Sequence, residues 1–76
     1  MTNTYGLITA NIYAEVLCNF HQDFINRLLP GGLLILAGIM RSRVHVIREK
    51  FSDQHWQLIE NRQEADWDAF LFKKIA

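Results

Sequence analysis

A chain of 76 residues makes one domain at most, and at this size it buries only about 60–65% of the surface it exposes when unfolded. Half of its residues are hydrophobic, too many for a disordered segment. Eight Lys and Arg balance eight Asp and Glu, so no net field favours nucleic acid or an anionic membrane.

The single cysteine, Cys18, excludes an internal disulfide and points to a reducing compartment. The polar start Met1-Thr2-Asn3-Thr4 has no character of a secretory leader. The apolar run of residues 33–40 is far short of the ~20 residues a membrane helix needs. The expectation is a soluble, cytoplasmic protein with no direct nucleic-acid or membrane partner.

Residues 5–12 read as a short strand ending in Leu7-Ile8-Thr9-Ala10-Asn11-Ile12. A helix is predicted over residues 14–29. Leu17, Phe20, Phe24 and Leu28 form its apolar stripe, opposite Asn19, Gln22, Asp23, Asn26 and Arg27. Pro30 stops the helix, and Gly31-Gly32 turn the chain. Residues 33–39 read as a second strand. It is apolar on both alternating sets: Leu33, Ile35, Ala37 and Ile39 on one face, Leu34, Leu36 and Gly38 on the other. Such strands are normally covered on both faces in parallel α/β sheets.

Ser42 is the expected N-cap of a second helix, residues 43–51, with Val44, Ile47 and Phe51 inward. Arg41, Arg43, Arg48 and Lys50 read as its solvated basic face. After a polar break at Ser52-Asp53-Gln54, residues 56–61 and 67–73 read as an antiparallel hairpin joined by a turn over residues 62–66. In the last strand Trp67, Ala69 and Leu71 alternate with Asp68, Phe70 and Phe72.

The order is strand-helix-strand-helix-strand-strand. Crossovers between parallel strands are right-handed in about 98% of cases. Two that step the same way place both helices on one face of the sheet. The other face then lacks cover from these residues, and Leu34 and Leu36 are the expected bare row. The chain is expected to be half of a doubly wound domain, or to associate through that face.

Ligands in open parallel sheets bind at the carboxyl ends of strands. Asn11 stands at such an end, yet on spacing alone it reads first as an N-cap of the next helix. His21, His45 and His55 lie in three segments without ligand spacing and read as surface histidines. Cys18 reads as a small buried hydrophobe. Glu60, Glu64, Asp66 and Asp68 read as a polar turn rather than paired acid–base carboxylates. Trp56 and Trp67 read as packing residues.

Three pieces together carry a family resemblance: Ile8-Thr9-Ala10-Asn11-Ile12, then Leu29-Pro30-Gly31-Gly32 leading to Leu36-Ala37-Gly38-Ile39, then Trp67. The chain resembles the C-terminal part of the methyltransferases that act on ribosomal protein eleven of the large subunit. The resemblance spans nearly the whole chain. It implies a partial class I (Rossmann-like, doubly wound) methyltransferase domain over residues 1–76, supplying its fourth to seventh strands. The last strand would run antiparallel, between the fifth and sixth.

The resemblance also implies S-adenosylmethionine as methyl donor and a ribosomal protein as substrate in the complete enzyme. It assigns Asn11 to the cofactor site, where Ala10-Asn11-Ile12-Tyr13 stands in place of the Asn-Pro-Pro-aromatic motif of other amine methyltransferases. The family's glycine-rich first loop and ribose-binding acid have no counterpart among the four glycines and their surroundings. Nor does its N-terminal substrate-recognition domain. The chain alone is therefore expected to be inactive and not to bind the cofactor. Its expected partner is an N-terminal half or a second copy of itself. The alternative function is a stand-alone, non-catalytic interaction module that associates through the uncovered sheet face.

Overall fold

A computed structural model describes residues 4–11 and 13–75. Its elements are β1 (Tyr5–Ala10), α1 (Ala14–Asn19), α2 (His21–Arg27), β2 (Leu28–Met40), a 3-10 turn (Arg41–Arg43), α3 (Val44–Lys50), β3 (Trp56–Glu64) and β4 (Trp67–Lys74). The four strands form one sheet in the order β1-β2-β4-β3. β1 and β2 are parallel, and β4 runs antiparallel to both β2 and β3. The last strand thus inserts between its two predecessors, as the resemblance implies. The expected extension of the first strand to Ile12 falls outside the described residues.

The helices share one face of the sheet, and α1 packs on α3. Ala14 and Leu17 of α1, Phe24 of α2, and Ile47 and Phe51 at α3 meet Leu34, Leu36, Ile39, Phe70, Phe72 and Trp56 from the strands in a single core. The same-face placement of the helices is as expected. The choice of bare row is not. Leu34 and Leu36 are fully buried beneath the helices, paired across the sheet with Phe72 and Phe70. The uncovered row is the other one: Leu33 and Ile35, beside Leu7 and Thr9 on β1 and Leu71 on β4. Phe70 and Phe72 offer far more apolar area than Ala69 and Leu71, and burying a side chain of that size stabilises by roughly 1.5–3 kcal/mol. The β2 row that shares their face goes inward with them.

The single helix expected over residues 14–29 is two short helices. They break at Phe20 (φ -95, ψ 4), which ends one and starts the other. The break turns His21 and Phe24 toward Phe51 and leaves Phe20 43% exposed, off the stripe where it was expected. α2 ends at Arg27, and Leu28 is already extended and buried, opposite Tyr5. Lys74 holds this end: its ammonium donates to the carbonyls of Ile25 and of Leu28, the latter at 2.9 Å. A cation suits a helix C-terminus, where carbonyls lack helical partners. Pro30, Gly31 and Gly32 form no separate turn. They bulge out of β2, since the register jumps from Tyr5↔Leu28 to Leu7↔Leu33.

Ser42 lies inside the 3-10 turn, and α3 starts after Arg43 with no side-chain cap bond. The hairpin strands run on to Glu64, so the loop is only Ala65 and Asp66.

Candidate functional site

β1 ends beside β2, their last paired residues being Ala10 and Leu36, and β2 continues to Met40. Asn11 follows β1 directly and is exposed. It does not cap α1, whose N-cap is Tyr13, without a side-chain cap bond. On β2 the register against β4 shifts between Leu36 and Ile39, a bulge centred on Gly38 at φ +72. A left-handed glycine is the usual device for such a bulge. It keeps Ile39 on the buried face and leaves residue 38 without a side chain beside Asn11. A Cβ at Gly38 would stand 2.2 Å from Asn11 Oδ1.

Two hollows meet at this corner. One, of ≈ 440 Å³, is lined by Asn11, Ala37, Gly38, Met40, Asp66 and Trp67. The other, of ≈ 420 Å³, is lined by Asn11, Tyr13, Val16 and Gly38. Asn11 and Gly38 form the wall common to both. Trp67, expected to pack, is instead 42% exposed and turned to the first hollow. Trp56 does pack, 6% exposed. A further hollow, of ≈ 400 Å³, opens beside the free edge of β1 between Tyr5, Leu7, Ile8, Phe20 and Phe24, with Asp23 and Arg27 also in its lining. It is mostly apolar and lies toward the start of the strand, away from the carboxyl ends.

The floor of the corner is braced by a buried carboxylate. Asp68 is fully buried, contrary to its reading as part of a polar turn. The inward alternation of β4 carries it below the surface with Phe70 and Phe72. Arg41 Nε donates to its Oδ1 at 2.9 Å and Asn61 Nδ2 to its Oδ2 at 3.0 Å. Arg41 also donates through Nη2 to the carbonyl of Glu64 (2.7 Å) and through its backbone N–H to that of Asp66 (3.1 Å). The end of β2 is thereby tied to the hairpin turn that carries Trp67. Burial alone raises the Asp68 pKa, but the bonds from Asn61 and Arg41 outweigh it and hold the carboxyl below its ordinary value. A carboxylate kept charged in this way is a brace, not an acid.

Arg41, Arg43, Arg48 and Lys50 are exposed, as expected of a solvated face, and three of them are also paired. Arg48 donates to Asn61 Oδ1 (2.7 Å) and lies over the Phe70 ring, and Arg43 pairs with Glu15.

His21, His45 and His55 are not brought together as ligands. Among the described residues no group of three His, Cys, Asp or Glu side chains is placed to hold a metal. His45 is exposed, His55 half-buried and His21 buried, the last a correction to its surface reading. His21 sits under Phe51 and Trp56, with ring centroids 4.9 and 6.0 Å away. Cys18 is half-buried against the core, and burial pushes its thiol up, offset in part by Lys50 and assisted by Glu15. A raised thiol is a poor nucleophile. No helix among the described residues is long and apolar enough to cross a membrane.

The same fold recurs in known proteins. A solved structure of a ribosomal protein L11 methylase from Lactobacillus delbrueckii superposes with a TM-score of 0.91 at 21% identity, covering all of this chain and 40% of that one. A methyltransferase from Pyrococcus furiosus superposes at 0.72 with 18% identity, over 97% of this chain and 42% of its own. The sheet is thus a mixed, Rossmann-like one, that of the C-terminal part of a methyltransferase domain. Among curated sequences, the ribosomal protein L11 methyltransferase of Pelobacter propionicus is 34% identical over 76 residues, all of this chain and 25% of that protein. That of Campylobacter jejuni is 39% identical over 69 residues, 91% of this chain and 24% of that protein. The chain therefore spans about a quarter of the length of these curated relatives. The family profile described as Ribosomal protein L11 methyltransferase (PrmA) matches residues 1–75, and the chain belongs to that family.

Proposed function

We propose that these residues form the fourth to seventh strands of a class I methyltransferase domain, and that their Asn11–Gly38 corner contacts S-adenosylmethionine in a cytoplasmic enzyme that methylates amino groups of a ribosomal protein. One observation carries the reading. At the carboxyl ends of two parallel strands, an exposed amide occupies the space that a glycine leaves open, between two hollows. Carboxyl ends are where open α/β sheets receive ligands. The family membership favours a methyl donor as that ligand.

When bound, S-adenosylmethionine supplies an electrophilic methyl group on a sulfonium. This chain's part is positional. Asn11 Oδ1 accepts a hydrogen bond from an amine N–H and so fixes the direction of the nitrogen lone pair. Gly38 lets a reactant approach the backbone without a Cβ in the way. Arg41 and Asp68 hold the wall on which Trp67 stands. Positioning of this kind supplies much of the rate of a bimolecular displacement.

The bare row of Leu7, Leu33, Ile35 and Leu71 and the unpaired edge of β1 are, on this reading, where the remaining part of the domain packs. The adenosine and carboxylate contacts would lie there. Titration calorimetry tests the division. A chimera in which residues 1–76 replace the segment they match in the Pelobacter propionicus relative should bind S-adenosylmethionine. The chain alone should not, because one amide hydrogen bond contributes about 0.5–1.5 kcal/mol against an immobilisation cost of about 4 kcal/mol or more. Micromolar binding by the chain alone would overturn the reading.

A further inference from the structure

His21 Nε2 faces two groups that it cannot satisfy together. Trp56 Nε1 lies 3.0 Å from it and Asp53 Oδ2 lies 3.2 Å from it. The indole N–H is only a donor, and an ionised carboxylate only an acceptor. A neutral imidazole with its proton on Nδ1 offers Nε2 a lone pair. It takes the indole N–H and leaves Asp53 facing a lone pair. A charged imidazole carries a proton on Nε2. It donates to Asp53 and turns an N–H toward the indole N–H.

Asp53 lies in the middle of the short connection between α3 and β3, Trp56 is the first residue of β3, and His21 is the first residue of α2. Trp56 is buried and the Asp53 side chain is 41% exposed. A proton from solvent therefore reaches Nε2 on the Asp53 side, while the indole N–H loses the His21 lone pair it donates to, in a place where water is scarce. A buried donor without a partner is driven to move until it finds one. Phe51, edge-on to His21 at 4.9 Å, and Trp56 present ring systems beside the imidazole.

We propose that His21 is a proton-operated latch: neutral, it holds Trp56 and pins the start of β3 to α2; protonated, it releases the indole and grips Asp53, so that the connection over residues 52–55 shifts. The proton added at Nε2 comes from water, and no other bond forms or breaks. The charged and titratable groups facing the imidazole are Asp53 and His55 from the connection and Lys50 from α3. Burial, with Lys50 and His55, favours the neutral ring, and Asp53 favours the charged one. Burial is the largest influence, and the balance lies below the ordinary imidazole value. Trp56 is held at neutral pH and released on mild acidification.

The test is a pH titration of Trp56 in the full chain carrying Trp67→Phe, followed by indole fluorescence and by the Nε1–H signal in nitrogen–proton NMR. One transition is expected, with its midpoint below the ordinary imidazole value. Across it the Trp56 emission falls as a charged imidazole comes to face the ring, and the Nε1–H signal moves and exchanges faster with water. The transition should persist in His55→Gln, disappear in His21→Gln, and move to lower pH in Asp53→Asn. A transition that survives His21→Gln, vanishes with His55→Gln, or keeps its midpoint in Asp53→Asn overturns the latch. If His21→Gln does not fold, the ring nitrogens of His21 decide the matter in the unaltered chain. Nε2 must be the unprotonated nitrogen at neutral pH, and a proton found there instead contradicts the proposal.

Discussion

Asn11 and Gly38 occupy one volume between them: the side-chain oxygen of the first lies 2.2 Å from where the second would carry a Cβ. A methyl group at residue 38 must expel the amide. It must also adopt φ +72, at a cost of about 1–2 kcal/mol for a residue with a Cβ. Gly38→Ala should therefore lower stability by about that amount in urea denaturation and shift the side-chain amide signals of Asn11 in NMR. Unmoved Asn11 signals would show that the two residues are not packed as described.

A second expectation concerns acid. The folded-state pKa of Asp68 lies below its ordinary value of 3.8, because the bonds from Asn61 and Arg41 overcome the burial that raises it. Above the unfolded value the contribution to stability is complete, and it is lost as pH falls through the folded value. Asp68→Asn should be less stable than the parent at neutral pH, and the difference should shrink as pH falls below 3.8. Denaturation midpoints across the acid range measure this. Parallel curves would mean that the Arg41–Asp68 pair does not contribute as an ion pair.

Solution behaviour should follow the two faces of β2. Leu33 and Ile35 share the uncovered face with Leu7 and Leu71, and β1 has a free edge. Exposed apolar faces and unpaired strand edges promote association. The chain alone should self-associate in sedimentation, and Ile35→Lys with Leu71→Glu should reduce that association while leaving the fold intact. Leu34→Ala, on the covered face, should instead cost about 2–5 kcal/mol of stability. Equal association by the parent and the charged variant would place the sticky surface elsewhere.

The contrast between these two rows marks what the sequence could and could not disclose. The order of elements and the pairing of the hairpin were legible, because alternation and turn residues are local signals. β2 is apolar on both rows, so its own pattern could not say which row meets the helices. That choice belongs to the register against Phe70 and Phe72, set by residues more than thirty positions away. The alternation of β4 did group Asp68 with Phe70 and Phe72. Its burial was therefore readable, and its partners Arg41 and Asn61, from other elements, were not. His21 looked like a surface residue for the same reason: Asp53 and Trp56, which define its surroundings, come from the connection after α3 and from the start of β3, more than thirty positions away. The place of Asn11 at a strand end was legible, while the left-handed Gly38 that shares its space appears only once β2 bulges.

The claim that Asn11 orients a reactant is tested most directly by methyl transfer. In the chimera with the Pelobacter propionicus relative, transfer of a labelled methyl group from S-adenosylmethionine to the ribosomal protein is measured for Asn11 and for Asn11→Ala, alongside their denaturation midpoints. Mispositioning of a reacting group costs on the order of 100-fold in rate. A loss of about that size is expected with the midpoint unchanged, since Asn11 caps no helix and is exposed. Normal turnover with reduced stability would contradict it and leave Asn11 a structural residue alone.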